Sequence, residues 1–175
     1  MSERDQREDR VSAVADHSVF LGLGSNLGDR DANLRAALEK LADTVRIVRV
    51  SSVYETEPLL VEDQPLFHNL ACAGLTSLGP LDLLLAVKRI ERDLGRIPGA
   101  RYGPRLIDID ILLYDDLILA TPAVTIPHPG MMERAFVLVP LAEIVPAERH
   151  PMTGQTIEEL ASRSKSSGVR LLGAL

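Results

Sequence analysis

The stretch YGPRLIDIDILLYDD, residues 102–116, decides the fold because it places two acids inside an otherwise apolar strand. Side chains alternate between the two faces of a strand, so the apolar residues at every second position are predicted to bury together. These are Ile107, Ile109, Ile111 and Leu113. Asp108 and Asp110 then lie on the opposite face, roughly 7 Å apart. Two carboxylates this close repel each other and resist burial, so a divalent cation is the partner expected in front of them.

The size and charge of the chain limit the classes of protein to which it can belong. Its 175 residues fit one domain, and its contents of 46% hydrophobic and 25% charged residues are typical of a soluble globular protein. The formal net charge of -6 argues against a general nucleic-acid binder, which should be basic. No apolar run approaches the roughly 20 residues that span a bilayer, so no membrane association is predicted.

The N-terminal segment and the single cysteine carry further predictions. Residues 1–18 are charged and lack the apolar core of a signal peptide, so they are predicted to form a disordered extension before one domain at 19–175. A single cysteine, Cys72, excludes an internal disulfide, and its apolar surroundings predict a buried thiol. We expect a cytoplasmic location. A monomer is predicted because no exposed apolar helix face stands out.

Hydrophobic periodicity predicts alternating strands and helices. Apolar or alternating runs predict strands at 19–26, 45–54, 67–75 and 106–114. A first helix is predicted by apolar residues at helical spacing, namely Leu34, Ala37, Leu38 and Leu41. A second helix is predicted by the same spacing at Leu83, Val87, Ile90 and Leu94. Pro80 should open this second helix and Gly95 should end it, because these residues favour those positions.

The order of the predicted elements indicates the fold class. Strand, helix, strand, strand, helix, strand is the split βαβ pattern of a ferredoxin-like α+β fold, in which helices cover one face of the sheet. The face that carries Asp108 and Asp110 would be the open one, where loops can build a site. Beyond residue 117 the pattern weakens to C-terminal additions, with short apolar pieces and a small helix near 156–162.

A glycine-rich segment, GLGSNLG, follows the first predicted strand. Gly22, Gly24 and Gly28 have the spacing GxGxxxG, whereas a dinucleotide-binding loop requires GxGxxG. No parallel βαβ unit with an acidic residue at its end follows. The segment is therefore interpreted as a strand end where small residues let another chain or a ligand approach closely.

Arginines precede the two acids. Arg96, Arg101 and Arg105 converge on the start of the last core strand. Arginine binds phosphate oxygens in a bidentate manner, and carboxylates bridge to phosphate through magnesium. The combination of an arginine cluster with Asp-x-Asp is what a nucleotide polyphosphate requires. For Arg89 and Arg92, simple ion pairing with the many acids remains an alternative.

Two further groups of residues are candidates for ligand binding. His128 lies between two prolines, and Arg134, six residues later, could share a phosphate with it. Phe67 and Asn69 are two residues apart and share one strand face, where a ring can stack on a flat heterocycle and an amide can bind its polar edge. Phe136 is another of the few aromatic residues in the chain. Plain core packing is the alternative for both phenylalanines.

Six blocks of the sequence resemble one known family. The blocks are LGLGSNLGDR, SSVYETEPL, DQPLFHNLA, RIERDLGR, YGPRLIDIDILLY and TIPHPGMMERAFVLVPL. In this order, from residue 19 to about 144, they resemble the 6-hydroxymethyl-7,8-dihydropterin pyrophosphokinases of folate biosynthesis. The resemblance implies a ferredoxin-like fold, transfer of pyrophosphate from ATP to the pterin hydroxymethyl oxygen, and release of AMP.

The resemblance also implies roles for individual residues. Asp108 and Asp110 would hold two magnesium ions, and they would form the catalytic set together with Arg96 and Arg105. ATP would be bound by Lys88, Arg101, Arg105, Ile111, Thr125, His128 and Arg134. The pterin would be bound by Thr56, Pro58, Leu59, Phe67, Asn69 and Phe136, with the two rings on either side of it. ATP and the pterin are thus the expected partners, without nucleic acid.

The chain departs from the family pattern mainly in one loop. Pro98 and Gly99 replace residues that are often basic, Tyr102 replaces a common tryptophan, and Lys88 replaces a frequent glutamine. Pro129 stands where an aromatic residue often follows the histidine. These differences concern loop closure and nucleotide affinity. The alternative functions are a metal-dependent nucleotidyltransferase, which would need a nucleic-acid track, and a non-enzymatic ferredoxin-like ligand-binding module.

Overall fold

The computed structural model describes residues 16–58, 63–97, 103–165 and 168–175. The first part of the chain contains β1 (His17–Ser25), α1 (Arg30–Leu41), β2 (Arg46–Val50), β3 (Val53–Thr56), β4 (Phe67–Thr76), α2 (Pro80–Asp93) and β5 (Asp108–Tyr114). The remainder contains β6 (Leu119–Ala120), β7 (Thr125–Ile126), a 3₁₀ turn (Met131–Glu133), α3 (Ala135–Ile144), α4 (Ile157–Arg163) and β8 (Val169–Gly173). In the described ranges, no helix combines the length and apolar character needed to cross a membrane.

The main sheet has the order β5-β1-β4-β3-β8, and β2 pairs with β4 next to β3. Neighbouring strands are antiparallel throughout these pairings. The order of the first five strands and two helices is therefore that of the predicted ferredoxin-like α+β core, and the fold prediction is confirmed. The C-terminal strand β8, which the sequence pattern did not predict, extends the sheet beyond β3.

Residues with known preferences for helix ends mark the start of α1 and both ends of α2. The Asp29 carboxylate accepts a hydrogen bond from the backbone N–H of Ala32 and caps α1. Pro80 is the first residue of α2, and Gly95 follows the helix with a φ of 91°, a left-handed conformation that favours glycine. The apolar residues predicted for these helices pack against one face of the sheet.

The opposite face of the sheet is not fully open, which corrects the prediction that helices cover one face only. Helix α3 packs there through Val137, Leu138 and Leu141, together with α4 and with Leu112 of β5. The sequence did not predict α3 because its residues are almost all apolar, it contains Pro140, and it has no side-chain cap. The part of this face that carries Asp108 and Asp110 stays accessible at the N-terminal end of α3.

Three strand predictions need local corrections. Strand β1 begins at His17, so His17 and Ser18 belong to the domain and not to the extension; the Ser18 N–H donates to the Asp115 carboxylate. The predicted strand at 45–54 is two strands, because the Ser52 N–H donates to the Glu143 carboxylate of α3 rather than to a neighbouring strand.

The third correction concerns β5. The register between β1 and β5 shifts between Phe20 and Leu21, which leaves Leu112 as the extra residue of a bulge. Leu113 therefore faces α3 instead of sharing the face of Ile109 and the other predicted isoleucines. A one-residue shift of this kind reverses the faces of every residue that follows.

Candidate active site

A cleft of about 410 Å³ lies on the face of the sheet that α3 only partly covers. Gly22 and Gly24 of β1 line it, between residues of β4 on one side and β5 on the other. The glycines thus allow a close approach to the backbone of the central strand, as the sequence predicted. Twelve of the residues predicted for the site also line the cleft, in two groups that differ in charge.

The charged half of the cleft consists of Lys88, Arg96, Arg105, Asp108, Asp110, His128 and Arg134. Arg96 Nη1 lies 2.9 Å from Asp108 Oδ1, and Arg105 Nη1 lies 2.5 Å from Asp108 Oδ2. Each oxygen of Asp108 therefore already has one guanidinium partner. The predicted convergence of arginines on the acid pair is present for these two arginines.

Asp110 has no partner at comparable distance among the described cations. His128 Nε2 lies 3.8 Å from Asp110 Oδ2. Burial, and then the neighbouring charge of Asp108, raise the pKa of Asp110 above its ordinary value. Burial lowers the pKa of His128, although Asp110 opposes this shift. The pair is consequently a partly buried carboxylate next to an imidazole that loses its proton easily.

The acid pair fits a hard divalent cation. Both donors are carboxylates on the same strand face, and burial followed by the charge of Asp108 raises the pKa of Asp110, so a cation bound there would favour its ionised form. Within the described part of the chain there is no group of three or more His, Cys, Asp or Glu side chains that could hold a metal. Magnesium is commonly held by one or two carboxylates, with phosphate oxygens and water as the other ligands. The donor set matches that description.

The neutral half of the cleft contains Thr56, Pro58, Phe67, Asn69 and Phe136, and Glu57 also lines the cleft. Asn69 Nδ2 donates to Thr56 Oγ1 at 2.6 Å, and both residues are buried. This hydrogen bond fixes the amide orientation and leaves Asn69 Oδ1 to face the cleft beside Gly24. A Cβ atom on Gly24 would lie only 2.6 Å from that oxygen, so the site requires glycine there.

Two buried polar residues of the site were not predicted from the sequence. Asn26 is 1% exposed, and its Oδ1 accepts the backbone N–H of Arg105 at 2.7 Å, which fixes the loop that carries this arginine. Glu91 is 2% exposed and contacts both Lys88 and Arg96. For Glu91 a signal was present, because it is an acid four residues after Val87 on the buried face of α2.

Some of the predicted residues lie elsewhere. The Ile111 side chain is buried in the core on the helix-bearing face, so it points away from the cleft. Thr125 is exposed on β7 and does not line the cleft, and the same is true of Arg89 and Arg92 on α2. Leu59 and Arg101 lie outside the described residues, as do the loop departures Pro98, Gly99 and Tyr102.

The fold and the cleft define a ferredoxin-like α+β protein with an arginine-bound acid pair beside an aromatic and amide-lined pocket, an arrangement suited to a transferase that acts on polyphosphate groups. A family model described as 7,8-dihydro-6-hydroxymethylpterin-pyrophosphokinase matches residues 20–146. The chain belongs to this family, and the resemblance seen in the sequence is confirmed.

Similarity to named proteins supports the assignment of the chain to this family. The 2-amino-4-hydroxy-6-hydroxymethyldihydropteridine pyrophosphokinase of Pseudomonas aeruginosa is 44% identical over 89% of this chain and 98% of its own length. The enzyme of the same name from Aquifex aeolicus is 42% identical over 81% of this chain and 89% of its own length. The folic acid synthesis protein fol1 of Schizosaccharomyces pombe is 42% identical over 87% of this chain, but this chain spans only 21% of it.

A solved structure supports the fold. The crystal structure of wild-type Plasmodium falciparum HPPK-DHPS with pterin and p-hydroxybenzoate matches with a TM-score of 0.69 at 18% sequence identity. The match covers 85% of this chain and 42% of that one. Because the sequence identity is low, this similarity concerns the fold alone, and it confirms the fold of the chain.

Proposed function

We propose that this chain transfers pyrophosphate from ATP to 6-hydroxymethyl-7,8-dihydropterin and releases AMP. The observation that carries the proposal is the junction of the two halves of the cleft. A pocket for a flat heterocycle opens directly onto an acid pair with two guanidinium groups, so an acceptor hydroxyl and a polyphosphate can meet there. Family membership supports the same reaction.

The neutral half is the pterin site in this proposal. The rings of Phe67 and Phe136 stack on the two faces of the heterocycle, and Asn69 binds its polar edge through the oxygen that Thr56 leaves free. The hydrogen bond between Thr56 and Asn69 selects this orientation before the substrate arrives. Pro58 lines the same part of the cleft, and Leu59, which lies outside the described residues, stays a predicted pterin contact.

The charged half is the polyphosphate site. Arg96, Arg105, Arg134 and Lys88 supply positive charge around the β- and γ-phosphates, and His128 lines the same half of the cleft. Arg101, which lies outside the described residues, stays a predicted ATP contact. Asp108 and Asp110 would hold the two magnesium ions that this proposal includes. When bound, magnesium supplies charge neutralisation on the attacking and leaving oxygens.

The protein contributes position more than covalent chemistry. The pterin hydroxyl oxygen attacks the β-phosphorus, the bond to the α-phosphate oxygen breaks, and AMP leaves with both electrons of that bond. Arg96 and Arg105 stabilise the charge on the transferred group. The hydroxyl proton has to pass to a base, and among the described residues the two aspartates and the imidazole of His128 are groups of the charged half that can accept it. Holding two reactants in line is itself worth several kcal/mol of the barrier.

Product analysis tests the proposed function. The protein is mixed with magnesium, ATP and 6-hydroxymethyl-7,8-dihydropterin, and the nucleotides are separated. AMP that forms only when the pterin is present is the expected result. ADP would show transfer at the γ-phosphorus and contradict the reaction. Absence of turnover would favour the alternative of a ligand-binding module, which magnesium-dependent ATP binding by calorimetry would then examine.

A further inference from the structure

Glu91 is the most deeply buried acid near the cleft, and it does not line the cleft itself. Its carboxylate accepts the backbone N–H of Ile109 at 2.7 Å. The ammonium group of Lys88 lies 2.9 and 3.1 Å from the two carboxylate oxygens, and Arg96 Nη1 forms a short contact with Oε2. A buried carboxylate persists only when it is paired and hydrogen-bonded, and Glu91 meets both conditions.

These contacts place Glu91 inside a row of alternating charges. The row runs from Lys88 through Glu91, Arg96 and Asp108 to Arg105. Arg96 is the central cation, because its Nη1 contacts both Glu91 and Asp108. If the oxygens of Asp108 bind a cation, Arg96 loses that partner and keeps only Glu91. The Ile109 N–H contact also ties the same carboxylate to the peptide between Asp108 and Asp110.

We propose that Glu91 is a positioning residue that keeps Arg96 and Lys88 aimed at the polyphosphate when Asp108 binds metal. This inference rests on the proposed pyrophosphoryl transfer and deepens it. Glu91 touches no substrate and acts through the two cations. A cation held by a second, buried carboxylate reaches the transition state in a fixed position, so little rearrangement is required as charge develops.

Two substitutions of Glu91 distinguish the effect of its charge from the effect of its side-chain shape. Glu91→Gln keeps the volume and one oxygen for the Ile109 N–H but removes the charge that holds Arg96. Glu91→Asp keeps the charge but shortens the side chain. A positioning role through charge predicts that Asp retains more activity than Gln, whereas a packing role predicts the reverse. Glu143→Gln is the matched control, because Glu143 also accepts several hydrogen bonds from β3 and its surroundings outside the cleft.

The first test is made on the unloaded protein. Nuclear magnetic resonance relaxation of the Arg96 Nε–H group reports how rigidly the guanidinium is held. Because Asp108 also holds Arg96 in the unloaded protein, the comparison is made in an Asp108→Asn background, which mimics the loss of that charged partner. We expect a rigid Arg96 group in Asp108→Asn and in Asp108→Asn with Glu143→Gln, and a mobile group in Asp108→Asn with Glu91→Gln. An Arg96 group that stays equally rigid in Asp108→Asn with Glu91→Gln would overturn the proposal. This measurement needs neither turnover nor metal.

The second test is a double-mutant cycle on kcat with Glu91→Gln and Arg96→Ala. We expect Glu91→Gln to lower kcat by about 10- to 100-fold, with the Michaelis constant for the pterin changed by less than about 3-fold. In the Arg96→Ala background the same change should cost no more than about 3-fold. Equal costs in both backgrounds would contradict positioning of Arg96. If the wild type forms no AMP, the proposed function fails, and the relaxation measurement alone decides the role of Glu91.

Discussion

The neutral and charged halves of the cleft are prepared for their ligands in different ways. In the neutral half, Asn69 is fixed by a hydrogen bond to Thr56, and its side-chain oxygen has no hydrogen-bond donor among the described residues. In the charged half, both oxygens of Asp108 are occupied by Arg96 and Arg105. The neutral half can accept a ligand without breaking an internal contact, whereas the charged half must exchange ion pairs for contacts with phosphate and metal.

The difference follows from the cost of leaving a group unpaired. Neutral amides and hydroxyls can be buried at low cost once one hydrogen bond is made. Carboxylates and guanidinium groups resist burial unless they are paired. In the absence of ligand, the carboxylates and guanidinium groups of the charged half therefore pair with each other.

Removal of the Asp110 carboxylate should abolish most of the activity that depends on the charged half. We expect Asp110→Ala to keep the fold and to lower kcat by about 10³-fold or more, because the metal loses one of its two protein ligands. Pterin affinity in the presence of a non-hydrolysable ATP analogue should change far less. The measurement is steady-state AMP formation over a magnesium titration. Turnover close to the wild-type rate at saturating magnesium would refute the metal assignment.

Truncation of one ring should weaken the neutral half alone. Phe136 is half-buried, and Arg134 lies 5.9 Å from its ring centroid. We expect Phe136→Ala to weaken pterin binding by about 10- to 100-fold, because a stacking surface is lost, and to weaken ATP binding by less than about 3-fold. Phe136→Leu, which keeps apolar bulk without a flat face, should fall between. Calorimetry that shows unchanged pterin affinity in Phe136→Ala would exclude the ring as a stacking partner.

A methyl group added at Gly24 of β1 should also weaken pterin binding in the neutral half, but by less than the loss of the Phe136 ring. In Gly24→Ala the new Cβ would lie 2.6 Å from Asn69 Oδ1, so the amide has to shift. We expect the pterin affinity to fall by about 5- to 10-fold, corresponding to about 1 kcal/mol for a weakened hydrogen bond. Gly79→Ala is the control, since no atom lies within 4 Å of a Cβ at that position. Equal pterin affinities in both variants would show that Gly24 has no role in placing Asn69.

The smallest expected effect is a gain in thermal stability when Asp110, in the charged half, is replaced by a neutral residue. The pKa of Asp110 is raised in the folded protein by burial and by Asp108. The folded protein therefore binds more protons than the unfolded chain, and the stability of the unloaded protein falls as pH rises from the ordinary aspartate range through the raised pKa. We expect Asp110→Asn to melt about 2–4 °C higher than the wild type at pH 7 in a chelator.

The pH dependence provides the control for this stability prediction. Below about pH 3, Asp110 is protonated in both the folded and the unfolded protein, so the advantage of Asp110→Asn should nearly disappear. Thermal unfolding followed by circular dichroism at both pH values measures the difference. A lower melting temperature for Asp110→Asn at pH 7 would show that its cationic neighbours outweigh its burial.

Local patterns in the sequence predicted much of the fold and of the site. Strict alternation around Asp108 and Asp110 predicted their common face, and helical spacing with Pro80 predicted α2. The bulge at Leu112 was not predictable, because it depends on how β1 and β5 pair across a long stretch of chain. Helix α3 was missed because an almost uniformly apolar segment has no face that periodicity can detect.

The site was predicted where residue type and strand face were sufficient, as for Phe67 and Asn69. Ile111 was placed near the nucleotide by family resemblance, yet its side chain follows the alternation of β5 into the core. The roles of Asn26 and Glu91 depend on contacts between elements distant in the chain, such as the hydrogen bond from Arg105 to Asn26. Pairwise contacts of this kind are not encoded in local spacing.

The most direct test of the difference between the two halves is a crystal structure with magnesium, a non-hydrolysable ATP analogue and the pterin. We predict that the oxygens of Asp108 ligate metal, that Arg96 and Arg105 bond to phosphate oxygens, and that Asn69 still donates to Thr56. A structure in which both arginines remain on Asp108 while the nucleotide is bound would contradict the exchange of ion pairs.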